Sequence, residues 1–235
     1  MPISRKHFIS ATAVGVSAAA LTSFDTVAEA AVDRAPVHFH ILKPNEYDKA
    51  GMLQRLTISN EHKQVFQSVS PLVVAPGVAS VYIHMQNSMN AYQFSLGLGN
   101  LATLAVLIGP SIVFALNDNM WKKYSIGKML TLASTNTYYQ ASSKLDLSAD
   151  PDDPNGVYQD WSAEAVLKRG GQFFVCHNAT TAVAAIIAMK SGTTTPSAVL
   201  ADFEKNMLPG FLMVPAGVAA VQEALENGWK YFAII

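Results

Sequence analysis

The sequence predicts an α/β protein in which helices cover both faces of an open, mainly parallel sheet of five strands, a three-layer arrangement. Short apolar runs of strand length alternate with helix-length segments between residues 78 and 235, the order that builds parallel sheets. One run, 101–108, is almost continuously apolar, as expected for a strand buried on both faces. Half of the 235 residues are hydrophobic and 14% are charged, so the chain has enough apolar surface for a large core.

The charge balance and the cysteine count exclude several classes of protein. The chain carries 16 Lys and Arg against 17 Asp and Glu, a net charge of −1, whereas nucleic-acid-binding proteins usually carry a basic excess. The single cysteine excludes an intrachain disulfide and a zinc site built mainly on thiolates. No glycine-rich phosphate loop follows any predicted strand. We therefore expect no nucleic-acid partner, no metal site and no resident cofactor.

The first thirty residues have the pattern of an export signal peptide. Residues 4–9 resemble the twin-arginine motif, with Lys6 in the second arginine position, and a short apolar run covers 11–21. An Ala-Glu-Ala cleavage pattern follows at 28–30. This predicts a signal peptide at 1–30, a periplasmic location and no stable membrane span after cleavage, because the apolar run is too short to cross a bilayer. Its mild hydrophobicity favours the twin-arginine route, and the general secretory route stays open.

The rest of the chain divides into an extension and one domain. Residues 31–75 have a mixed pattern and are predicted to form an N-terminal extension, with an edge strand at 37–42 and a short helix at 61–69. The α/β domain is expected at 76–235. A turn-rich stretch, 125–160, interrupts its alternation and predicts a loop insertion.

Within the domain, the pattern assigns five strands and six helices. The strands are expected at 78–85, 101–108, 172–176, 211–214 and 229–234. The helices are expected at 88–96, 112–124, 162–169, 180–189, 197–207 and 217–227. Gly97 and Gly99 end the first helix, and Pro110 lies near the first turn of the second.

Ligands of open α/β sheets bind beyond the carboxyl ends of the strands, and those ends supply the candidate site. Six residues there are candidate ligand-binding residues: Asn87, Gly109, Ser111, Asn178, Pro215 and Gly217. Three more are candidate catalytic residues: Cys176, His177 and His84. The only cysteine of the chain therefore falls at the predicted site.

Cys176 is expected at the junction of a strand and a helix. The free N–H groups and the dipole at the start of a helix lower the pKa of a cysteine and raise its thiolate fraction. His177 could add a positive charge beside it. The alternative is a small buried residue that ends an apolar strand, since free cysteine is among the most buried residue types.

Several short motifs, in order, resemble the DsrE/DsrF-like family, which includes the TusD-type sulfur carriers. The motifs are the segments 87–92, 109–111, 173–179, 208–219 and 228–232. The resemblance implies a five-stranded α/β layered fold, assembled as trimers or hexamers. In the sulfur-carrying members a cysteine after the third strand holds a persulfide, and Cys176 stands at that position. The chain departs from the family in its export signal, its extension and loop insertion, and the lack of a basic Arg-Gly pair after Cys176.

Two functions follow as hypotheses. In the first, the protein is a periplasmic DsrE-like homo-oligomer that carries or transfers sulfur through Cys176, with His84 or His177 assisting proton transfer, and its partner is a small sulfur species or a sulfur-transfer protein. In the second, it is a non-catalytic oligomeric module of the same fold that binds a ligand or a partner. A Cys-His hydrolase has less support, because no nucleophile-elbow or papain-like motif surrounds Cys176, and a metal-dependent hydrolase is a third, weaker hypothesis. The sequence leaves open whether the protein is an enzyme.

Overall fold

The computed structural model describes residues 37–99 and 101–234. The predicted signal peptide, 1–30, lies outside the described residues, and its export remains a prediction that N-terminal sequencing of the exported protein would test. None of the helices in the described ranges has the length and apolar character needed to span a membrane.

The main sheet has five parallel strands, which confirms the predicted fold class. The described residues form seven strands: β1 (His62–Ser68), β2 (Val73–Ala75), β3 (Val78–Ala79), β4 (Leu101–Leu107), β5 (Gln172–Cys176), β6 (Phe211–Val214) and β7 (Lys230–Ile234). The order across the main sheet is β6-β5-β4-β1-β7, and every pairing in it is parallel. The short strands β2 and β3 pair separately and antiparallel.

Helices pack on both faces of this sheet. They are α1 (Lys49–Leu56), α2 (Ser80–Asn90), α3 (Asp118–Lys123), α4 (Ile126–Leu130), α5 (Ala163–Lys168), α6 (His177–Ser191), α7 (Pro196–Lys205) and α8 (Gly217–Glu226). A π-helical turn, Ala91–Ser95, extends α2, and 3₁₀ turns occur at Gly109–Ala115 and Val157–Gln159. Residues of α2, α6 and α7 share one core with alternate strand residues, and residues of α1 and α8 share the other. Strand β4 is buried at every position after its first, because both of its faces are covered.

The first predicted strand is wrong. Residues 80–90 form the helix α2, and its buried residues, such as Val81, Met85 and Met89, repeat every four positions, the spacing of one helix face. The sheet instead takes its strand from β1, where a short helix was expected. This strand lies within the predicted extension 31–75, and it pairs with both β4 and β7.

Two further segments differ from expectation. The helix predicted at 112–124 is divided into a 3₁₀ turn and α3, because Asn117 has an extended backbone and its side chain accepts the N–H of Met120 to cap α3. No strand forms at 37–42. The predicted loop insertion, 125–160, contains α4 and a 3₁₀ turn and is otherwise irregular.

Candidate functional sites

Cys176 lies at the junction of β5 and α6, as the sequence predicts, and it caps the helix. Its backbone is extended, and its Sγ accepts the N–H of Ala179 at 3.3 Å. The helix begins at His177, earlier than expected, so the thiol sits directly over its first turn. The residue is 4% exposed. The sulfur therefore satisfies one of the free N–H groups at the start of α6.

His177 is buried and faces a different helix from Cys176. Its Nε2 lies 3.6 Å from Glu204 Oε1 on α7, whereas Cys176 packs against Gly217 of α8. Burial lowers the pKa of His177, and the charge of Glu204 opposes this only in part. Its Nδ1 has no hydrogen-bond partner among the described residues. The ring lines a cavity of about 310 Å³ that also has the carboxylates Glu46 and Asp48 in its wall.

The two predicted ligand-binding glycines allow close packing of the backbone. Gly109 has a φ of +59°, and a Cβ there would lie 2.8 Å from the carbonyl oxygen of Val69. At Gly217 a Cβ would lie 2.5 Å from Ile108 Cγ1 and 3.1 Å from Cys176 Cβ. Both positions need glycine for packing, so their residue type is explained without a ligand.

Ser111, Asn178 and Pro215 also take part in contacts within the fold. Ser111 Oγ is fully buried and donates to backbone carbonyl oxygens, at 2.6 Å from Ser68 O and 2.8 Å from Ile108 O. The N–H of Asn178 donates to the carbonyl oxygen of Pro215 at 3.4 Å. These bonds tie together the carboxyl ends of the strands.

His84 and Asn87 lie on α2 rather than at the end of a strand. The His84 ring packs against Phe232 of β7, with ring centroids 5.6 Å apart, and Asn87 is exposed. Strand β7 is three positions from β5 in the sheet, about 14 Å at the usual strand spacing. Cys176 and His177 are therefore adjacent in the chain, but their side chains face different helices. His84 does not lie near either of them.

A second cavity, which the sequence did not predict, lies at the amino ends of the strands, opposite the carboxyl ends described above. Its volume is about 640 Å³, and its wall includes Leu101 at the start of β4 and Gln172 at the start of β5. We call it the Arg169 cavity, defined by Arg169, Lys168, Gln93, Gln172, Tyr158 and the apolar side chains of Ile58, Met89, Leu101 and Leu147. A volume of this size is typical of small-molecule sites.

Arg169 is held in place by three neutral side-chain amides of α2 and its π-helical extension. Its Nη1 donates to Gln86 Oε1 and, at 2.6 Å, to Asn90 Oδ1, and its Nη2 donates to Gln93 Oε1 at 3.2 Å. The guanidinium also lies over the ring of Tyr158, 4.7 Å from its centroid. Within the described ranges, no carboxylate forms an ion pair with Arg169.

Two of these three amides, Gln86 and Asn90, also anchor the segment that carries Tyr158. Gln86 Nε2 donates to the carbonyl oxygens of Val157 at 3.1 Å and Asp160 at 2.7 Å. Asn90 Nδ2 donates to Tyr158 O at 2.9 Å. The oxygens of Gln86 and Asn90 thus accept from the guanidinium while their nitrogens donate to the backbone of this segment, so the arrangement is held on both sides. Burial lowers the pKa of Arg169 to about 10, which leaves the guanidinium cationic near neutral pH.

A sequence signal for this cluster does exist. Gln86, Asn90 and Gln93 are spaced by four and three residues, which places them on one face of a helix. The predicted strand at 78–85 hid that spacing, because it left Gln86 outside the helix. The cavity also lies at the amino ends of the strands, whereas ligands of open α/β sheets usually bind beyond the carboxyl ends.

No model of a protein family matches the sequence, and no curated protein gives a significant match. The resemblance to the DsrE/DsrF-like family therefore stays a prediction.

Proposed function

We propose that the protein is a non-catalytic α/β binding module in which Cys176 is a structural residue. The observation that supports this most directly is the environment of its sulfur: the residue is 4% exposed, and Sγ accepts the N–H of Ala179. A sulfur carrier must admit a donor and an acceptor to the sulfur in turn, because thiol exchange needs direct attack on that atom. A sulfur that caps a helix and is covered by the core serves stability instead.

The test is the accessibility of the thiol in the folded protein. We expect iodoacetamide to alkylate Cys176 on the order of 100-fold more slowly in the native than in the urea-unfolded chain, since burial blocks the reagent until the fold opens. The intact mass should not change after exposure to polysulfide. A native thiol that is alkylated as fast as the unfolded one, and that gains a sulfur atom absent from Cys176→Ser, would overturn the proposal.

Sulfur transfer through Cys176 is the second candidate, and one contact favours it. The N–H of Ala179 and the start of α6 would stabilise a thiolate at Sγ. The thiolate would attack the terminal sulfur of a polysulfide, take up one sulfur atom as a persulfide and release a polysulfide one atom shorter. The mass measurement above separates this candidate from the first.

The binding module is also proposed to be a homo-oligomer. Strand β7 is at one edge of the sheet, and Tyr231 and Phe232 on it are 48% and 40% exposed. Edge strands with exposed apolar residues favour association with another copy. Light scattering on the purified chain should give a mass above that of one 25.2 kDa subunit, and a monomer at all concentrations would contradict the assembly.

A further inference from the structure

We propose that the Arg169 cavity binds a small organic anion, a carboxylate or phosphate ester joined to an apolar body. This deepens the proposed binding function by naming its ligand class and rests on it. Three features of the site indicate this ligand class: its positive charge, its fixed hydrogen-bond donors and its apolar wall.

The described wall of the cavity carries positive charge, although Asp146, which is outside that wall, interacts electrostatically with Lys168. Lys168 and Arg169 are cationic residues of the wall, and the described wall has no Asp or Glu. The groups that hold Arg169 are amides rather than carboxylates. Amide oxygens position a guanidinium without neutralising it, so its charge remains for a ligand.

The guanidinium also keeps donors for that ligand. The three bonds to Gln86, Asn90 and Gln93 use three of the five N–H groups that an arginine carries. The other two have no hydrogen-bond partner within the ranges that the structure describes. Two N–H groups on a planar, fixed guanidinium match the paired oxygens of a carboxylate or phosphate. Lys168, which is exposed, supplies a second cation beside it.

The remaining wall selects an anion with an apolar part and a donor group. Met89, Leu101 and Ile58 give an apolar surface next to the charged one. Gln172 lines the same cavity, and its Oε1 is buried with no partner among the described residues. Leaving such an acceptor unpaired is unfavourable, and a ligand hydroxyl or amine group would satisfy it. An inorganic ion would leave both features unused.

Calorimetric titration of the purified full chain with four small probes tests the ligand class. Benzoate and phenyl phosphate carry an anion on an apolar ring, benzamide is the neutral counterpart of benzoate, and inorganic phosphate lacks the ring. We expect both ring-bearing anions to bind at least about tenfold more tightly than the other two, roughly the value of one charge-assisted hydrogen bond. The better of the two identifies the acid group. Equal binding of benzamide and benzoate, or tighter binding of inorganic phosphate, would overturn the inference.

Variants locate the binding at this cavity. Arg169→Gln should weaken the tighter probe by about tenfold or more. Because this change also removes contacts to α2, two exposed positions provide tests that leave the fold intact: Lys168→Gln should weaken binding about threefold, and Leu147→Asp should weaken it further by adding a negative charge at the rim. Lys122→Gln, an exposed lysine on α3, is the matched control and should bind like the wild type. Unchanged affinity in Lys168→Gln and Leu147→Asp would overturn the assignment, whatever the alkylation of Cys176 shows.

Discussion

Cys176 and Arg169 are the two residues on which the functional account depends, and their surroundings differ in kind. The thiol is enclosed, and its sulfur accepts a hydrogen bond from the backbone of its own helix. The guanidinium is half-buried in a cavity wall and is held by side chains that leave its charge free. A cation in a cavity wall, with no carboxylate paired to it among the described residues, is better placed to bind a ligand than a thiol whose hydrogen bond is internal.

The capping role of Cys176 predicts a measurable loss of stability. Cys176→Ala removes the acceptor for the N–H of Ala179 and should lower the free energy of unfolding by about 1 kcal/mol, the usual value of an N-cap. Cys176→Ser keeps an acceptor there and should lose less. Urea denaturation monitored by circular dichroism measures both. An alanine variant as stable as the wild type would argue against the cap.

Burial of His177 predicts that acid destabilises the fold through this residue. Because its pKa is lowered in the folded protein, its neutral form contributes stability that is fully present above the unfolded value of about 6.5 and is lost as the pH falls below it. The groups that act on its pKa are Glu204, His40, Glu46 and the side chain of Asn178. His177→Gln should therefore lose less unfolding free energy than the wild type between pH 7.5 and pH 5.5. Identical losses in the two proteins would show that His177 is not the group responsible.

At the level of elements, four of the five sheet strands could be predicted from the sequence and one could not. Strands β4 to β7 are apolar runs bounded by glycine or proline, and the local pattern suffices for them. Strand β1, with the sequence His-Lys-Gln-Val-Phe-Gln-Ser, has polar side chains at five of its seven positions, the exceptions being Val65 and Phe66. Its Lys63 donates to Asn227 O at 2.6 Å, and its Gln67 accepts from Tyr231. Those partners are more than 160 residues away, so no local pattern reveals that the polar groups are satisfied.

The candidate site was predictable to a similar, partial extent. The cysteine at the end of β5 was placed correctly because strand, residue and helix follow one another in the chain. The Arg169 cavity draws on β4, β5, α2, α5 and the 145–160 loop region, and such a convergence depends on the tertiary fold. The shared helix face of Gln86, Asn90 and Gln93 can be predicted only if α2 begins before Gln86, as it does in the structure.

The contact between α8 and β5 predicts that Gly217 does not tolerate a side chain. Gly217→Ala places a Cβ 2.5 Å from Ile108 Cγ1 and 3.1 Å from Cys176 Cβ, so the helix must shift or the isoleucine must leave its rotamer. We expect a loss of about 1–3 kcal/mol of unfolding free energy. Val218→Ala, at an exposed position of the same helix, should change it by less than about 0.5 kcal/mol. A glycine variant within that smaller range would contradict the packing described here.

The loop before α5 predicts a pH-dependent stabilisation by Asp160. This residue is 5% exposed, and its carboxylate accepts the N–H groups of Ser142, Ser143 and Ser162 at 2.7–3.0 Å. Burial raises its pKa, but the hydrogen bonds outweigh burial and the pKa is lowered overall.

Asp160→Asn should therefore cost about 1–3 kcal/mol of unfolding free energy at pH 7. The lowered pKa means that the stabilisation is present above about pH 4 and is lost as the pH falls through the folded value. The difference between wild type and variant should accordingly shrink toward pH 3, as chemical denaturation at several pH values would show. A difference that stays constant with pH would mean that the carboxylate charge is not the source.

In the whole molecule, the two candidate sites lie at opposite ends of the parallel strands. Gln172, in the wall of the Arg169 cavity, begins β5, and Cys176 ends it. The two residues are about 13 Å apart along this strand, so the cavity lies at the amino ends of the strands and the thiol at the carboxyl ends. The polar contacts described at one end involve different residues from those at the other. Binding at the cavity should thus be independent of the thiol, which sets the binding account apart from the sulfur-carrier account.

The most direct measurement is the affinity for phenyl phosphate, determined side by side in the wild type, Cys176→Ala and Lys168→Gln. We expect the same affinity in the first two proteins and an affinity about threefold weaker in the third, because the lysine contributes charge to the cavity and the cysteine is not part of its wall. An affinity that falls when the cysteine is replaced, and is unchanged when the lysine is, would contradict this expectation.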